Sequence, residues 1–347
     1  MNSRNKIVKR FSESFLYLLI LILSVSFASC EKSKSYKDKL DVKLHKIETQ
    51  SIESKYYSRA LFSIDTANFN EELLKIKPDF PFFFDDVSDF DKTASFLKDF
   101  VTDTFTVRIN DMVESQFKNF NSLENDIKSV FQRFNYYYPE INNPTIYYYI
   151  SGIDYNTPPV YIKDNDVAIS LDFYLGNESK IYDQIGMPRY RSARCQPSYI
   201  TRDLAQSLYY NVVYRRRIQK DLLTEMIEAG KMYYFIEAME PSMPDSVLMG
   251  YSDSQMQWVE NHEADVWASI VGNDMLYSNG LEMYRAFFGD GPFTQAFSNE
   301  SPARLGEYIG LQIIRSYMTN NDVSLQELMN NDDVQQIFQT SQYKPKV

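Results

Sequence analysis

The sequence predicts an α+β protein that is predominantly helical, with a small antiparallel sheet packed on the helices. Apolar residues recur at helical spacing between about residues 93 and 134, and again over most of the chain after residue 181. Three short segments rich in tyrosine, isoleucine and valine lie between these regions, separated by turn residues. The 27 Tyr and 24 Phe supply enough ring surface to build a core with few aliphatic residues.

The elements are predicted in order from these patterns. A first strand is expected over residues 41–48, where polar and apolar residues largely alternate. Two or three helices should lie between residues 93 and 134, because no Gly or Pro interrupts the apolar spacing there. Three strands should cover residues 145–150, 159–162 and 167–172, with turns at Gly152, Asn156 and Asn165. Further helices are predicted near residues 181–185, 198–214, 222–239, 254–273, 302–319 and 324–329.

The helix predicted at residues 302–319 has distinct signals at its start and along its length. Ser301 is a favoured capping residue, and Pro302 suits the first turn. Gly306 and Gly310 would let another backbone approach this helix closely.

Residues 1–29 have the layout of an export signal. Four basic residues lie within the first ten, and the apolar run at 15–23 is shorter than the roughly 18–20 residues of a spanning helix. Ala28 and Ser29 precede Cys30, which resembles the lipobox of bacterial lipoproteins, although Phe27 departs from the usual aliphatic residue. We therefore predict cleavage before Cys30 and a membrane-anchoring lipid on its sulfur. An ordinary signal cleaved nearby, with Cys30 unmodified, is the alternative.

Residues 30–41 are predicted to be the lipidated cysteine and a polar tether, because lysines and serines dominate this segment. The signal carries a net charge of +3, so the 318 residues left after its removal carry −14, against −11 for the whole chain. An acidic chain of this kind is a poor partner for nucleic acid. No acidic run follows Cys30, and we therefore expect the domain to face the periplasm.

The rest of the chain, residues 42–347, is predicted to form one α+β domain. Its roughly 300 residues are too many for a small module and too few for several domains of typical size. With lipid on Cys30, Cys195 has no partner in the chain, so we expect a buried or unpaired thiol and no disulfide.

Several strings carry a resemblance to a known family. They are residues 138–140 (YPE), 147–155 (YYYISGIDY), 171–176 (LDFYLG), 299–306 (NESPARLG), 314–318 (IRSYM), 320–328 (NNDVSLQEL) and 341–345 (SQYKP). In combination and in this order, they resemble the GldB family of gliding-motility lipoproteins of Bacteroidota. The resemblance covers most of the mature chain and is vague before residue 138. It implies a membrane-anchored component of a cell-envelope machine that has envelope proteins as partners.

That family is in turn similar in layout to a group of zinc proteases, in which a helix bears His-Glu-x-x-His. Two imidazoles one helical turn apart hold zinc there, and the carboxylate activates the bound water. This chain has Arg202, Asp203 and Gln206 at the corresponding positions, and Glu228 lies where such proteases place an acidic third ligand. A guanidinium cannot coordinate the metal. The resemblance thus implies a degenerate zincin-like, pseudo-protease architecture with no metal, no cofactor and no catalytic residue.

The distribution of histidine agrees with that expectation. The only two, His45 and His262, lie far apart and neither belongs to a pair with ligand spacing. A nucleophile pair of Cys195 with a histidine would need the fold to bring distant residues together. Because adjacent helix positions are about 100° apart, we also expect Arg202 and Asp203 to need separate partners.

Carboxylates leave two alternatives open. Asp154, Asp172 and Asp203 lie beside the predicted sheet and helix, where they would either line a cleft or stabilise turns and helix ends. The leading hypothesis is a non-catalytic envelope lipoprotein. The alternatives are a periplasmic hydrolase that uses cleft carboxylates and a lipoprotein that binds glycans through its tyrosines. Exposed tyrosines around a groove would favour glycan binding, and two buried, facing carboxylates would favour hydrolysis.

Overall fold

The computed structural model describes residues 35–44, 47, 51–215, 221–294 and 297–345. The chain divides into two units, Met1–Ser35 and Tyr36–Val347. The predicted signal peptide and Cys30 belong to the first unit and lie outside the described residues. His45 belongs to the second unit and also lies outside the described residues. All of the elements below belong to the second unit. Of the helices described, none has both the length and the apolar character that crossing a membrane requires.

The second unit combines one four-stranded sheet with many helices, so the predicted α+β, predominantly helical class is confirmed. The strands are β1 (Glu53–Tyr56), β2 (Thr145–Tyr149), β3 (Val160–Lys163) and β4 (Asp166–Ser170). The first seven helices are α1 (Tyr36–Leu40), α2 (Tyr57–Phe62), α3 (Phe69–Ile76), α4 (Pro81–Phe84), α5 (Phe90–Thr102), α6 (Thr104–Gln116) and α7 (Asn121–Tyr137). After the sheet follow α8 (Lys180–Gln184), α9 (Arg189–Ser192), α10 (Ile200–Leu208), α11 (Leu222–Met239), α12 (Asp245–Met249), α13 (Asp253–Gly272), α14 (Leu281–Phe288), α15 (Leu305–Asn320), α16 (Leu325–Asn330) and α17 (Val334–Ser341). A π-helical turn, Tyr209–Val213, continues α10.

The sheet is mixed, which corrects the predicted antiparallel arrangement. Its strand order is β1-β2-β4-β3, and only the β3–β4 pair is antiparallel, while β1–β2 and β2–β4 are parallel. A two-residue turn joins β3 and β4, and both of its residues, Asp164 and Asn165, have positive φ angles of 50° and 77°. The sequence shows this local hairpin, whereas in each parallel pair other elements lie between the two strands: helices α2 to α7 between β1 and β2, and strand β3 between β2 and β4.

The sheet separates two layers of core. Tyr147 and Ala168 face a smaller cluster of aromatic residues from the N-terminal helices, including Tyr57 and Phe84. The alternate strand residues, such as Tyr148, face the main core. This alternation places α10 and the longer C-terminal helices on the main-core side.

The start of the domain differs from the prediction. The described residues of segment 41–48 form turns rather than a strand, with hydrogen bonds from Val42 N to Leu40 O and from Leu44 N to Val42 O, both at 3.0 Å. The first strand is β1 instead. The predicted polar tether also ends earlier than residue 41, because α1 packs on α15 and buries Leu40 to 2% exposure. Leu40 therefore belongs to the core.

Helices α11 and α15 cross at the centre of the main core. Gly230 and Gly310 meet at the crossing: a Cβ on Gly230 would lie 2.3 Å from Gly310 O, and one on Gly310 would lie 1.9 Å from Met226 O. The close approach expected along α15 is thus present. The helix itself begins at Leu305, because Arg304 has a left-handed φ of 59°. Ser301 and Pro302 belong to the preceding loop, so the predicted start at these residues is wrong.

Candidate functional site

A cavity of about 310 Å³ opens beside α10, where this helix runs along the edge strand β3. Ser207 on the helix donates a hydrogen bond from Oγ to the carbonyl oxygen of Val160 at 3.0 Å, which holds the helix against the strand. The loop of residues 155–159 forms the opposite wall. The remaining lining residues are Phe173, Tyr174, Met187, Arg191, Arg194, Cys195, Tyr199, Arg202, Asp203 and Gln206.

Arg202 connects the polar groups on the floor of this cavity. Its side chain is buried, and its Nε donates to the carbonyl oxygen of Leu248 at 3.1 Å. Its Nη1 donates to Asp203 Oδ1 at 2.8 Å and to Gln206 Oε1 at 3.1 Å. The three candidate positions Arg202, Asp203 and Gln206 are thus joined into one network.

Asp203 has a second partner, the phenol of Tyr174, which donates to Asp203 Oδ2 at 2.9 Å. Burial raises the pKa of Tyr174 well above its ordinary value, so the hydroxyl stays protonated and acts as the donor. Arg202 and Asp203 thus each have a separate partner, as expected, but they also bond to each other, which the expectation did not include. The arginine side chain is long enough to reach back to its neighbour, although the two Cα–Cβ bonds point in different directions.

Cys195 lines the same cavity as a buried thiol, and it is the one free cysteine within the described residues, as expected. Burial raises the pKa of Cys195 to about 12, and the Asp203 carboxylate acts in the same direction. The thiolate that nucleophilic chemistry requires is therefore disfavoured. His262 lies on α13, stacked on Trp258 with 4.2 Å between ring centroids, and does not line the cavity.

Glu228 is separate from the other three candidate positions. It lies on α11, where Lys231 Nζ is 3.1 Å from its Oε1, and it does not line the cavity. Lys231 is buried and also donates to Asn331 O at 2.6 Å. Within the part of the chain that the structure describes, no group of three or more His, Cys, Asp or Glu residues has the geometry to hold a metal ion.

Asp172 and Asp154 stabilise turns rather than line the cavity. Asp172 is fully buried and accepts hydrogen bonds from Ile153 N at 2.7 Å and from Ser170 Oγ at 2.6 Å. The first of these bonds helps to hold Ile153 at its positive φ of 60°. Asp154 is exposed and accepts from Thr157 Oγ1 at 2.9 Å. Asp203 is the only carboxylate among the described residues that line the cavity, which therefore lacks the carboxylate pair of glycoside hydrolysis.

A second cavity, of about 740 Å³, was not predicted from the sequence. It lies beside the first and shares Arg194 and Tyr199 with it. Arg194 Nη2 donates to Asp290 Oδ2 at 2.7 Å, and Arg304 Nε lies 3.7 Å from the other carboxylate oxygen. Arg194 is distant along the chain from Asp290 and Arg304, which lie close to each other in the sequence. The only signal for any of them was the position of Arg304 in a string that carried the family resemblance.

Arg304 is anchored from the core side. It is 7% exposed, and its Nη1 donates to the hydroxyl of Tyr233 at 2.9 Å while Nη2 donates to the carbonyl oxygen of Met249 at 2.6 Å. Glu307 supplies the countercharge, with 3.2 Å between Oε2 and Arg304 Nη1. The floor of the second cavity is therefore fixed by the protein core.

Comparison with known proteins identifies the family. A search of curated proteins gave no match, and a search of solved structures gave none either. The family model described as gliding motility protein GldB matches residues 37–345, which is nearly the whole of the compact unit described above. This chain therefore belongs to the GldB family of gliding motility proteins.

Proposed function

We propose that this chain is a non-catalytic, lipid-anchored component of the cell-envelope machinery that serves gliding, with its domain facing the periplasm and with other envelope proteins as partners. The observation that carries the non-catalytic part is the closed network of Arg202, Asp203 and Tyr174. Both oxygens of the Asp203 carboxylate already accept hydrogen bonds from protein side chains, Oδ1 from Arg202 and Oδ2 from Tyr174, so the carboxylate acts as a structural partner of these two groups. The family match supports the association with gliding.

The lipid anchor is supported by the basic start, the short apolar run and the Ala28-Ser29-Cys30 junction. Replacing Cys30 by serine should move the protein from the membrane fraction to the soluble fraction of the source bacterium. Mass spectrometry of the N-terminal peptide should find acyl chains on the parent protein and none on the variant. Continued membrane retention of Cys30→Ser, with no acyl mass on the parent peptide, would contradict the anchor.

The non-catalytic role is tested by Asp203→Asn, which preserves the shape of the side chain and removes its charge. Weakening the bonds to Arg202 and Tyr174 should lower the free energy of unfolding by about 1–3 kcal/mol, measured by urea denaturation. The protein should stay folded, because domains of this kind have about 5–15 kcal/mol of stability. A deletion strain that expresses Asp203→Asn should therefore still spread on agar like a strain that expresses the parent.

Gln206→Ala is the matched control, since it alters the same network without removing a charge. It should leave spreading unchanged and cost less stability than Asp203→Asn. If Asp203 were a catalytic residue of an enzyme, the result would differ. The Asp203→Asn protein would be folded, abundant and in the membrane fraction, yet the strain would no longer spread. That combination would refute the non-catalytic role and would leave the test of the lipid anchor unaffected.

A further inference from the structure

We propose that the second cavity is a binding site for a saccharide. Its volume of about 740 Å³ lies within the range of about 300–1,000 Å³ that is typical of ligand sites. The cavity lies between α9, the turn from α12 into α13 and the loop that precedes α15. It is separate from the Asp203 network, and the inference does not depend on the proposed lipid anchor.

The charges around the cavity favour neither a strongly anionic nor a strongly cationic ligand. Among the described residues, the lining carries as many arginines as acidic residues: Arg189, Arg194 and Arg304 against Asp253, Asp290 and Glu300. A site for a polyanion would be dominated by positive charge, and a cation site by carboxylates. The balance favours a ligand with little or no net charge.

The uncharged lining is rich in hydrogen-bonding groups and poor in apolar ones. Among the described lining residues, nine are serine, asparagine or glutamine, whereas only Ala193, Val247, Pro292 and Ala303 have apolar, non-aromatic side chains. Tyr190 adds a half-buried aromatic ring. An apolar peptide segment would find little surface on which to bury its side chains. A neutral ligand with many hydroxyl groups, partly stacked on one ring, satisfies this lining best.

The floor of the cavity is held in a fixed geometry. Gly250 ends α12 with a left-handed φ of 67°, and a Cβ there would lie 2.8 Å from Arg194 Cδ and 3.3 Å from Arg304 Nη2. The absence of a side chain thus allows both arginines to lie against the same turn. Asp290 contacts the two guanidinium groups, 2.7 Å from Arg194 Nη2 and 3.7 Å from Arg304 Nε. Arg194 and Asp290, the partly exposed members of this group, are held where they can donate to and accept from hydroxyl groups of a sugar ring, while Arg304 fixes them from the core side.

The inference is tested with the purified full chain in detergent on an array of neutral and acidic oligosaccharides. We expect binding to at least one neutral oligosaccharide, with little dependence on salt. Asp290→Asn should weaken that binding about tenfold, because it loses charge-assisted hydrogen bonds at the floor. Ser246→Trp should abolish the binding by filling the cavity.

Two controls keep the result specific. Ser63→Trp places the same indole on an exposed position outside the cavity and should leave binding unchanged. Gln206→Ala alters the first cavity only and should also leave it unchanged. The proposal is overturned if no glycan binds, if binding persists in Ser246→Trp, or if only acidic glycans bind and salt removes them. The last outcome would mean that the arginines bind anions.

Discussion

Gly310→Ala should lower the free energy of unfolding by about 3 kcal/mol or more, the upper part of the range for overpacked cores. The added methyl group would lie 1.9 Å from Met226 O, a backbone atom that cannot move without its helix. Helices α11 and α15 would have to separate, and the core residues between them would lose contact. Chemical denaturation followed by circular dichroism measures the loss, and failure to accumulate as a folded protein is the extreme form of the same result.

Gly272→Ala is the matched control for that measurement. Gly272 is the last residue of α13, and an added Cβ there would meet nothing within 4 Å. It should therefore unfold at the same denaturant concentration as the parent or slightly higher, because alanine has less conformational freedom to lose. Equal stability of Gly310→Ala and the parent would show that the two helices do not cross at these glycines.

Arg315→Leu should destabilise the protein by about 3–5 kcal/mol, because it leaves the buried carboxylate of Glu237 without the guanidinium that pairs with it. Arg315 lies on α15 and is 6% exposed; its Nε donates to Glu237 Oε2 at 3.1 Å, and its Nη1 donates to Asp245 Oδ2 at 2.7 Å. Glu237 is 4% exposed, and burial raises the pKa of its carboxyl despite the nearby guanidinium. Without Arg315, Glu237 would lose the guanidinium that bonds to both of its carboxylate oxygens.

Two comparisons separate this effect from a general loss of charge. Lys75→Met removes a cation that pairs with Glu72 on the surface and should change stability by less than about 1 kcal/mol. Adding Glu237→Leu to Arg315→Leu should restore part of the loss, since the buried charge is then gone. A double variant as unstable as the single one would contradict the explanation.

The pH dependence of Arg315→Leu provides a further check on the same explanation. The pKa of Glu237 should rise further in the variant, because the opposing guanidinium has been removed. A carboxyl whose pKa is higher in the folded state costs stability above that pKa, and the cost vanishes once the group is protonated in both states. The deficit should therefore shrink as the pH falls toward the ordinary carboxyl pKa of about 4.

The sequence predicted the parts of the fold that have local causes. Helices α5 to α7 follow an uninterrupted apolar spacing, and α11 occupies the predicted residues 222–239. Strands β2 to β4 lie within two residues of their predicted bounds, because turn residues separate them. The parallel direction of β2 and β4 has no signal in the sequence of either strand. It depends on the path that the loop of residues 150–159 takes between β2 and β3.

Several short helices were missed for a similar reason. Helices α9 and α12 have four and five residues, too few to show a repeating apolar pattern. The start of α15 was predicted too early. Ser301, a favoured capping residue, lies in the loop before the helix, and Arg304 with its left-handed backbone separates this loop from the first helical residue, Leu305. In the candidate site, Arg202, Asp203 and Gln206 could be grouped because the family resemblance assigned them to three positions of one helix. The contacts of Tyr174 with Asp203, and of Asp290 with Arg194 and Arg304, could not be predicted from the sequence, because only the tertiary fold creates them.

The packing of α1 on α15 has a consequence for the order in which the chain folds. Tyr36 N donates to Thr319 Oγ1 at 3.3 Å, a contact between residues that are 283 positions apart. Synthesis begins at the N-terminal end of this interval. The first helix of the domain, α1, is therefore made long before α15, on which it packs. Contacts with such a large sequence separation form late and slow the folding of a chain. A nascent chain that stops before residue 305 would therefore lack the helix on which α1 packs, and α1 would stay accessible to chaperones and to proteases.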